Sequence, residues 1–329
     1  MAPPRLDGDD PRAALRAALV AHRRPALSRL LARRGLGPYR GYGEMLEAVE
    51  RLVDRGARLS LLGRSVRGEP LFGLRFGAED PREQSRTGVV LSGVHPMEWI
   101  GIEVHLALLE RLVAADLGGR SVLAVPIVNP DGLLRVEMNL REGRRRFVRH
   151  NAHGVDLNRN FDARWGYRSL AQRLLWFLFS PGKHAASEPE VAAIAHALSA
   201  RRVDRAVSLH SFGGAVLYPP AGSLWPVVDR DEHRAWATRI ARAADPQRPY
   251  RAMSLIRFGC GFRQGGLELD WFHERHGALS LLVECSRGGV GLRPSRLLDP
   301  FAWYNPPRIH DVAPPLVDAL SPFVKGLSA

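Results

Sequence analysis

Residues 93–99 are Gly93-Val94-His95-Pro96-Met97-Glu98-Trp99, which places a histidine and a glutamate three residues apart. The stretch follows an apolar run at residues 89–91 and precedes a helix-like run from Trp99 to Leu117. A strand that ends just before His95 would present both side chains at its carboxyl end, where open α/β sheets bind their ligands. Imidazole and carboxylate groups suit Zn²⁺, and a catalytic zinc ion needs three protein ligands and one open position. His95 and Glu98 are therefore candidates for two of these ligands.

Two further polar residues follow apolar runs and complete the set. His210 comes directly after the run from Ala206 to Leu209 and offers a third ligand. Glu284 ends the run that begins at Leu281 and adds a carboxylate. Without these residues, the simpler interpretation of the first stretch would be a capping glutamate beside an incidental histidine. With them, a zinc site at the ends of several strands is the better hypothesis.

Two more motifs, Asn129-Pro130-Asp131-Gly132 and the segment GVDLNRNF at residues 154–161, lie between these residues. With five separated motifs in this order, the chain resembles the zinc carboxypeptidases of the carboxypeptidase A type over nearly its whole length. The resemblance implies one zinc ion per chain, held by His95, Glu98 and His210. It also implies hydrolysis of the C-terminal peptide bond of a peptide substrate that ends in a free carboxylate.

The resemblance further implies the catalytic machinery. Glu284 matches the carboxylate that takes a proton from the attacking water and gives it to the leaving nitrogen. Asp156 matches the residue that accepts a hydrogen bond from the ring of the first zinc-binding histidine. Arg149, within the segment at residues 147–151, matches the cation that stabilises charge on the attacked carbonyl. The tryptophan and lysine that usually accompany this arginine are replaced here, and a solvated or structural arginine is the alternative.

Substrate recognition is implied by a second group of matches. Asn158 and Arg159 match the pair that binds the terminal carboxylate, for which a planar guanidinium is well shaped; an internal salt bridge is the alternative for Arg159. Leu269, just before Asp270, matches the floor of the side-chain pocket and predicts apolar or aromatic C-terminal residues. Glu268 would instead select basic residues if the strand were shifted by one position.

Two departures from the family pattern concern the substrate pocket. The family usually has a mobile tyrosine that closes over the substrate, but residues 258–264 contain none. Phe262 is the candidate for a steric replacement. An arginine often found between the first two zinc ligands is Met97 here, which predicts weaker binding of the upstream substrate residues.

Two other functions use the same residues and stay open at this stage. One is a zinc amidase that acts on peptidoglycan-derived (murein) tripeptides, because some bacterial members of the superfamily do so. The other is a catalytically silent zinc-binding homologue, which the missing tyrosine would support. The complete set of ligand and catalytic matches argues against this silent form.

The order of apolar runs predicts the fold. Strand-like and helix-like segments alternate, which favours an α/β/α sandwich on a mixed, mainly parallel central sheet. We predict a helical N-terminal extension at residues 1–37 and a catalytic domain at residues 38–329. The predicted strands lie at residues 59–62, 71–76, 87–94, 122–128, 203–209 and 279–284. The predicted helices lie at residues 43–55, 99–117, from 187 onward, 231–244 and 312–327, and the last of these is expected to be broken by its prolines. Residues 133–151 are predicted to be irregular.

Composition narrows the choice of partner and compartment. The formal net charge of the 329-residue chain is +13, but its arginines are scattered and not interleaved with base-stacking aromatics, which disfavours nucleic-acid binding. The sequence has no apolar run long enough to span a membrane, and its acidic N-terminus does not resemble a signal peptide. Two cysteines are too few for a disulfide framework. We therefore predict a cytoplasmic protein, and nothing in the sequence indicates its oligomeric state.

Overall fold

The computed structural model describes residues 10–22, 35–77, 86–175, 177–289 and 297–327. Eight strands form one sheet in these ranges. They are β1 Arg58–Arg64, β2 Pro70–Gly77, β3 Thr87–Ser92, β4 Ser121–Val125, β5 Val203–His210, β6 Ala215–Tyr218, β7 Arg251–Ser254 and β8 Leu279–Glu284. Their order across the sheet is β1-β2-β4-β3-β5-β8-β6-β7.

The centre of the sheet is parallel. Strands β4, β3, β5 and β8 run in the same direction, whereas the pairs β1–β2, β2–β4 and β6–β8 are antiparallel. The residues of β3 and β4 are buried throughout, as expected for strands that are covered on both faces. The predicted sandwich on a mixed sheet is confirmed.

Helices cover both faces of the sheet. Within the described residues, the α-helices are α1 Pro11–His22, α2 Tyr42–Asp54, α3 Trp99–Leu112, α4 Pro130–Arg141, α5 Leu170–Leu174, α6 Pro189–Leu198, α7 Arg230–Ala244, α8 Leu255–Phe258, α9 Glu268–His276, α10 Pro300–Tyr304 and α11 Ala313–Val324. One apolar core contains residues of α2, α3, α7 and α11, and a second core on the opposite face contains residues of α6 and α9. No described helix is long and apolar enough to cross a membrane.

The alternation of side chains along β3 joins the two cores. Val90 belongs to the core under α3, whereas Val89 and Leu91 belong to the core under α6. This alternation follows from the two-residue period of a strand. It fixes the register of the central sheet, because a slip by one residue would exchange the two sets of side chains.

The carboxyl ends of the parallel strands meet at one edge. β3 ends at Ser92, β5 at His210 and β8 at Glu284. His210 and Glu284 are direct neighbours in the register of β5 and β8. The fold therefore brings polar residues that are far apart in the chain to the same edge of the sheet.

Helix α1 packs against the domain. Its residues Leu15, Ala18 and Leu19 are buried. Nε2 of His22 lies 3.1 Å from a carboxylate oxygen of Glu69, the last residue of the turn between β1 and β2. Residues 23–34 of the predicted helical extension lie outside the described residues. The boundary of the N-terminal extension stays a prediction.

Three sequence-based predictions of secondary structure were wrong. Residues 133–141, predicted to be irregular, belong to helix α4. Pro130 occupies the first turn of this helix, and the Asn129 side chain caps it by accepting a hydrogen bond from the Gly132 amide (2.9 Å). The strands β6 and β7 were missed, because runs of four residues carry little periodic signal. Helix α11 is not broken by its prolines: Pro314 and Pro315 lie in its first turn, where no amide donor is needed, and the helix continues past Pro322 only to Val324.

Candidate active site

The loop after β3 is held in place from the other end of the chain. The Asn305 amide group donates to the Met97 carbonyl (2.7 Å), and its oxygen accepts from the Ile100 amide (3.0 Å). Glu98 precedes α3, but its carboxylate makes no capping hydrogen bond to that helix. The carboxylate points instead towards His95, so the capping interpretation does not apply.

The structure brings the three predicted zinc ligands together in a buried cluster. Nδ1 of His95 lies 3.0 Å from one carboxylate oxygen of Glu98. Nδ1 of His210 lies 2.9 Å from the other oxygen of Glu98 and 3.2 Å from Nδ1 of His95. These three residues are one of two groups within the described chain whose ligand atoms are close enough together to hold a metal ion.

Both histidines are oriented by a second carboxylate. Nε2 of His95 donates to Asp156 Oδ1 (3.0 Å). Nε2 of His210 donates to Glu268 Oε1 (2.7 Å), a contact that the sequence did not predict. Metal-binding histidines usually donate their second ring N–H to such a group. With the proton on Nε2 in each ring, both Nδ1 atoms present lone pairs to the same point.

The arrangement fits zinc. Two lone pairs that face each other at 3.2 Å repel unless a cation lies between them. Zinc bonds of about 2.0–2.2 Å in tetrahedral geometry place ligand atoms roughly 3.3 Å apart, close to the separations of the three donors. Burial raises the pKa of Glu98, but in the metal-free cluster the charges of His95 and His210, when these are protonated, outweigh this effect and lower it to about 2. A zinc ion would supply the positive charge once the rings are neutral ligands, so the third ligand is a carboxylate in both states.

Glu284 lies beside this cluster at the end of β8. Its side chain lines the same cavity as the three ligands. Oε2 of Glu284 is buried and has no hydrogen-bond partner among the described residues. Burial, together with the nearby charge of Glu98, raises the pKa of Glu284 to about 8 against the opposing effect of His210 and Arg149. A carboxylate with these properties is a suitable base near neutral pH.

Arg149 lines the same cavity and is fixed by Asp156. Its Nε donates to Asp156 Oδ2 (2.9 Å), and its guanidinium lies over the Phe179 ring at 5.5 Å from the centroid. Burial lowers the pKa of Arg149, but Asp156 and Glu98 outweigh this effect and raise it. Asp156 therefore holds two groups at once, the ring of His95 and a permanent cation beside it.

Asn158 and Arg159 form a short 3₁₀ turn at residues 157–159 that lines another part of the cavity. The Arg159 guanidinium donates to Gln264 Oε1 (2.6 Å), while its nearest carboxylate oxygen, on Asp156, is 4.0 Å away. Burial lowers the pKa of Arg159 to about 10. Gly266 packs so closely here that a Cβ atom would lie 2.0 Å from the Arg159 carbonyl oxygen. In the described part of the chain, the buried Arg159 cation therefore has Asp156, at 4.0 Å, as its nearest carboxylate.

These groups surround a cavity of about 240 Å³. Its polar wall contains the three ligands, Arg149, Asn158, Arg159 and Glu284. Its apolar wall contains Leu217, Leu255, Phe258, Leu267 and Leu282, and its remaining lining residues are Ser211, Phe212, Gln264 and Tyr304. The cavity therefore joins a metal-binding cluster, a base, two cations and an apolar pocket.

Comparison with known proteins identifies the family. The sequence profile of the zinc carboxypeptidases matches residues 42–301. The chain belongs to the zinc carboxypeptidase family. Among curated relatives of this family member, mouse carboxypeptidase A6 is 28% identical over 176 residues, which are 49% of this chain and 40% of the mouse protein. The chain thus spans less than half the length of that relative.

Solved structures of other proteins share the fold of this zinc carboxypeptidase family member. Carboxypeptidase A from Helicoverpa armigera superimposes with a TM-score of 0.70 at 21% identity. The superimposed part is 94% of this chain and 77% of the Helicoverpa chain. The murein-tripeptide amidase from Escherichia coli O157 superimposes with a TM-score of 0.52 at 19% identity, over 84% of this chain and 97% of the amidase. These likenesses establish the fold.

The side-chain pocket of this family member differs from the prediction. Leu269 is buried in the apolar cluster next to the cavity but is not among the residues that line it, whereas Leu267 is. The reason is that residues 268–276 form α9, so successive side chains turn by about 100° rather than alternating between two faces. Glu268 is directed at His210 and does not enter the pocket. Phe262 is 53% exposed, and Phe258 lines the cavity instead.

A second group of possible ligands, Asp229, His233 and His273, does not make a zinc site. Nε2 of His233 accepts a hydrogen bond from the Ser280 amide (3.1 Å), so its proton resides on Nδ1. That Nδ1–H donates to the Asp229 carbonyl (3.1 Å). The ring has no free lone pair for a metal, and we assign it a structural role.

The contact between Glu268 and His210 leads to a test. Replacing Glu268 by alanine is expected to weaken zinc binding about 10–100-fold, because it removes the group that orients a zinc-binding ring. Glu268→Gln keeps an acceptor oxygen and should give an intermediate loss. Zinc dissociation constants from competition with a chelator would measure both effects. An unchanged constant in Glu268→Ala, with the thermal stability of the metal-free protein preserved, would contradict the role.

Proposed function

We propose that the chain is a zinc-dependent metallocarboxypeptidase that releases an apolar C-terminal residue from a peptide. The observation that carries this proposal is the buried Arg159 guanidinium, which shares the cavity with Glu284 and the three ligands but has no carboxylate oxygen nearer than 4.0 Å among the described residues. Leaving a buried cation unpaired is costly, and a substrate carboxylate would pair with it. Asn158 lies next to Arg159 as a further polar group for that carboxylate.

The metal site supplies part of the chemistry. His95, Glu98 and His210 would hold the zinc ion, which polarises a carbonyl and lowers the pKa of water when bound. Glu284 takes a proton from the attacking water and later gives it to the nitrogen of the leaving residue. Its raised pKa favours this exchange, because a base with a pKa near the working pH both accepts and returns a proton readily.

Arg149 and Arg159 divide two tasks between them. Asp156 holds Arg149 at the metal-binding cluster, where its charge stabilises the oxygen of the attacked carbonyl. Arg159 binds the terminal carboxylate and thereby sets which peptide bond reaches Glu284. A cavity of about 240 Å³ is smaller than the roughly 300–1,000 Å³ of typical ligand sites, which suits one terminal residue.

The apolar wall indicates the preferred residue. Leu217, Leu255, Phe258, Leu267 and Leu282 line the pocket with hydrocarbon, so a leucine or phenylalanine side chain would be desolvated there without an unpaired charge. Basic side chains are disfavoured, since Glu268 bonds to His210 outside the cavity. The similarity to the Escherichia coli murein-tripeptide amidase makes amidase action on such a tripeptide the second candidate function.

The proposal is tested by zinc analysis together with a substrate panel. The panel contains blocked dipeptides that end in Phe, Leu, Lys, Arg or Glu, and the murein tripeptide. We expect stoichiometric zinc and the highest kcat/KM for the Phe and Leu substrates. Cleavage of the tripeptide alone would replace the proposal with the amidase function. Stoichiometric zinc with every substrate intact would instead support a silent homologue, and failure to bind zinc would overturn the site.

A further inference from the structure

Tyr304, at the end of α10, lines the cavity but has no role in the reaction as described so far. Its ring packs edge-on against Phe212, with the centroids 4.9 Å apart, and lies 6.3 Å from the ring of Phe147. Within the described residues, its phenol hydroxyl makes no hydrogen bond to another protein group. The hydroxyl is therefore available to a substrate.

The backbone of Tyr304 is anchored to the strands that carry the active site. Its carbonyl oxygen accepts hydrogen bonds from the hydroxyls of Ser211 (2.5 Å) and Ser286 (3.0 Å). Ser211 directly follows the ligand His210, and Ser286 lies two residues after the base. The next residue, Asn305, bonds to the loop of the first two ligands, as described above. Tyr304 is thus held by all three segments that build the metal-binding cluster and the base.

Tyr304 shares its cavity with the charged groups of the site. Burial and the nearby carboxylates of Glu98 and Glu284 raise the pKa of Tyr304 above its usual range, while Arg149 opposes the shift. The phenol therefore keeps its proton at any working pH and acts as a hydrogen-bond donor. Glu98, Glu284 and Arg149 line the same cavity as Tyr304.

We propose that Tyr304 is a catalytic residue that donates a hydrogen bond to the oxygen of the attacked carbonyl, on which Arg149 also acts. The inference rests on the proposed peptide hydrolysis. The water oxygen bonds to the carbonyl carbon, a carbonyl electron pair moves to its oxygen, and Glu284 takes the water proton. When the carbon–nitrogen bond breaks, Glu284 gives this proton to the leaving nitrogen. Tyr304 keeps its own proton throughout.

A fixed donor of this kind stabilises the transition state. Its hydrogen bond strengthens as negative charge develops on the oxygen, and its anchored backbone needs no rearrangement at that moment. Residues 258–264 supply no tyrosine to the cavity. The phenol comes instead from α10, and because that segment is tied down at both Tyr304 and Asn305, the donor is in place before the substrate binds.

Replacing Tyr304 by phenylalanine tests the proposal, because the variant keeps the ring contact with Phe212. We expect kcat on the preferred blocked dipeptide to fall about 10–100-fold. This loss is smaller than that expected for removing a single oxyanion donor, because Arg149 also stabilises the negative charge on the carbonyl oxygen. KM and zinc content should stay near those of the wild type. Affinity for a tetrahedral phosphonate analogue of the same dipeptide should fall by a similar factor, while affinity for free phenylalanine should not.

Tyr42→Phe is the matched control, since it removes a phenol hydroxyl that bonds to Glu69 (3.5 Å) far from the cavity. It should leave kcat unchanged. Wild-type kcat and phosphonate affinity in Tyr304→Phe would overturn the inference while the proposed hydrolysis stands. A higher KM with unchanged kcat would also overturn it, because Tyr304 would then serve ground-state binding. A wild-type protein that cleaves no peptide would overturn the proposed function, and this inference with it.

Discussion

Glu284→Gln is expected to lower kcat for peptide hydrolysis by at least about 10³-fold while zinc stays bound in stoichiometric amount. Glutamine has nearly the same shape as glutamate but cannot take a proton from the attacking water. The three ligand side chains do not depend on Glu284, so metal analysis of the variant should match the wild type. Steady-state kinetics on the preferred blocked dipeptide, with metal content from the same sample, would measure both quantities.

The matched control is Glu274→Gln, which alters an exposed carboxylate paired with Arg164 (2.7 Å) and should retain full activity. In the wild type, kcat/KM should fall as the pH drops through the pKa of Glu284, because only the deprotonated carboxylate accepts the proton. A bound cation lowers this pKa, so the midpoint should lie between 4.5 and about 8. Residual turnover near the wild-type level in Glu284→Gln would remove Glu284 from the mechanism.

Arg159→Gln is expected to lower kcat/KM for a peptide with a free C-terminal carboxylate by about 10²–10³-fold, since losing one partner of a buried charge pair costs about 2–5 kcal/mol. The same peptide with a C-terminal amide should be a poor substrate for the wild type and should be affected little by the change. The ratio of kcat/KM for the acid to that for the amide isolates recognition of the carboxylate from general damage to the site.

Arg263→Gln provides the comparison for Arg159. Arg263 stacks on the Tyr167 ring at 4.3 Å from the centroid and is not among the residues that line the cavity. Its loss should leave the preference for the free acid intact. If Arg159→Gln retained that preference, the terminal carboxylate would have to bind elsewhere, and release of a C-terminal residue would lose its structural basis.

The metal-binding half of the site could be predicted from the sequence, for a simple reason. Uniformly apolar runs mark interior strands, and parallel strands collect their carboxyl ends at one edge. His95, His210 and Glu284 each follow such a run, and the structure brings them together with Glu98. Asp156 and Arg149 needed the family resemblance, because neither lies next to a strand. Their contacts with each other and with His95 were not visible in the sequence itself.

The substrate-binding half could not be predicted in the same way. Whether Leu267 or Leu269 enters the pocket depends on where α9 begins, and one residue of difference redirects every side chain that follows. The role of Glu268 changed for this reason from selecting substrates to orienting His210. Tyr304 was missed because its short helix is placed by hydrogen bonds to distant segments rather than by a local pattern.

The distribution of the site along the chain has a consequence for protein synthesis. His95 and His210 are separated by 115 residues, yet their ring nitrogens lie 3.2 Å apart. A ribosome that has released only the first of these strands has produced no metal site, because the second ligand strand and the one that carries Glu284 are still to come. The proposed peptidase activity would therefore require the central sheet to be complete, and a chain truncated before β8 would lack the proposed base.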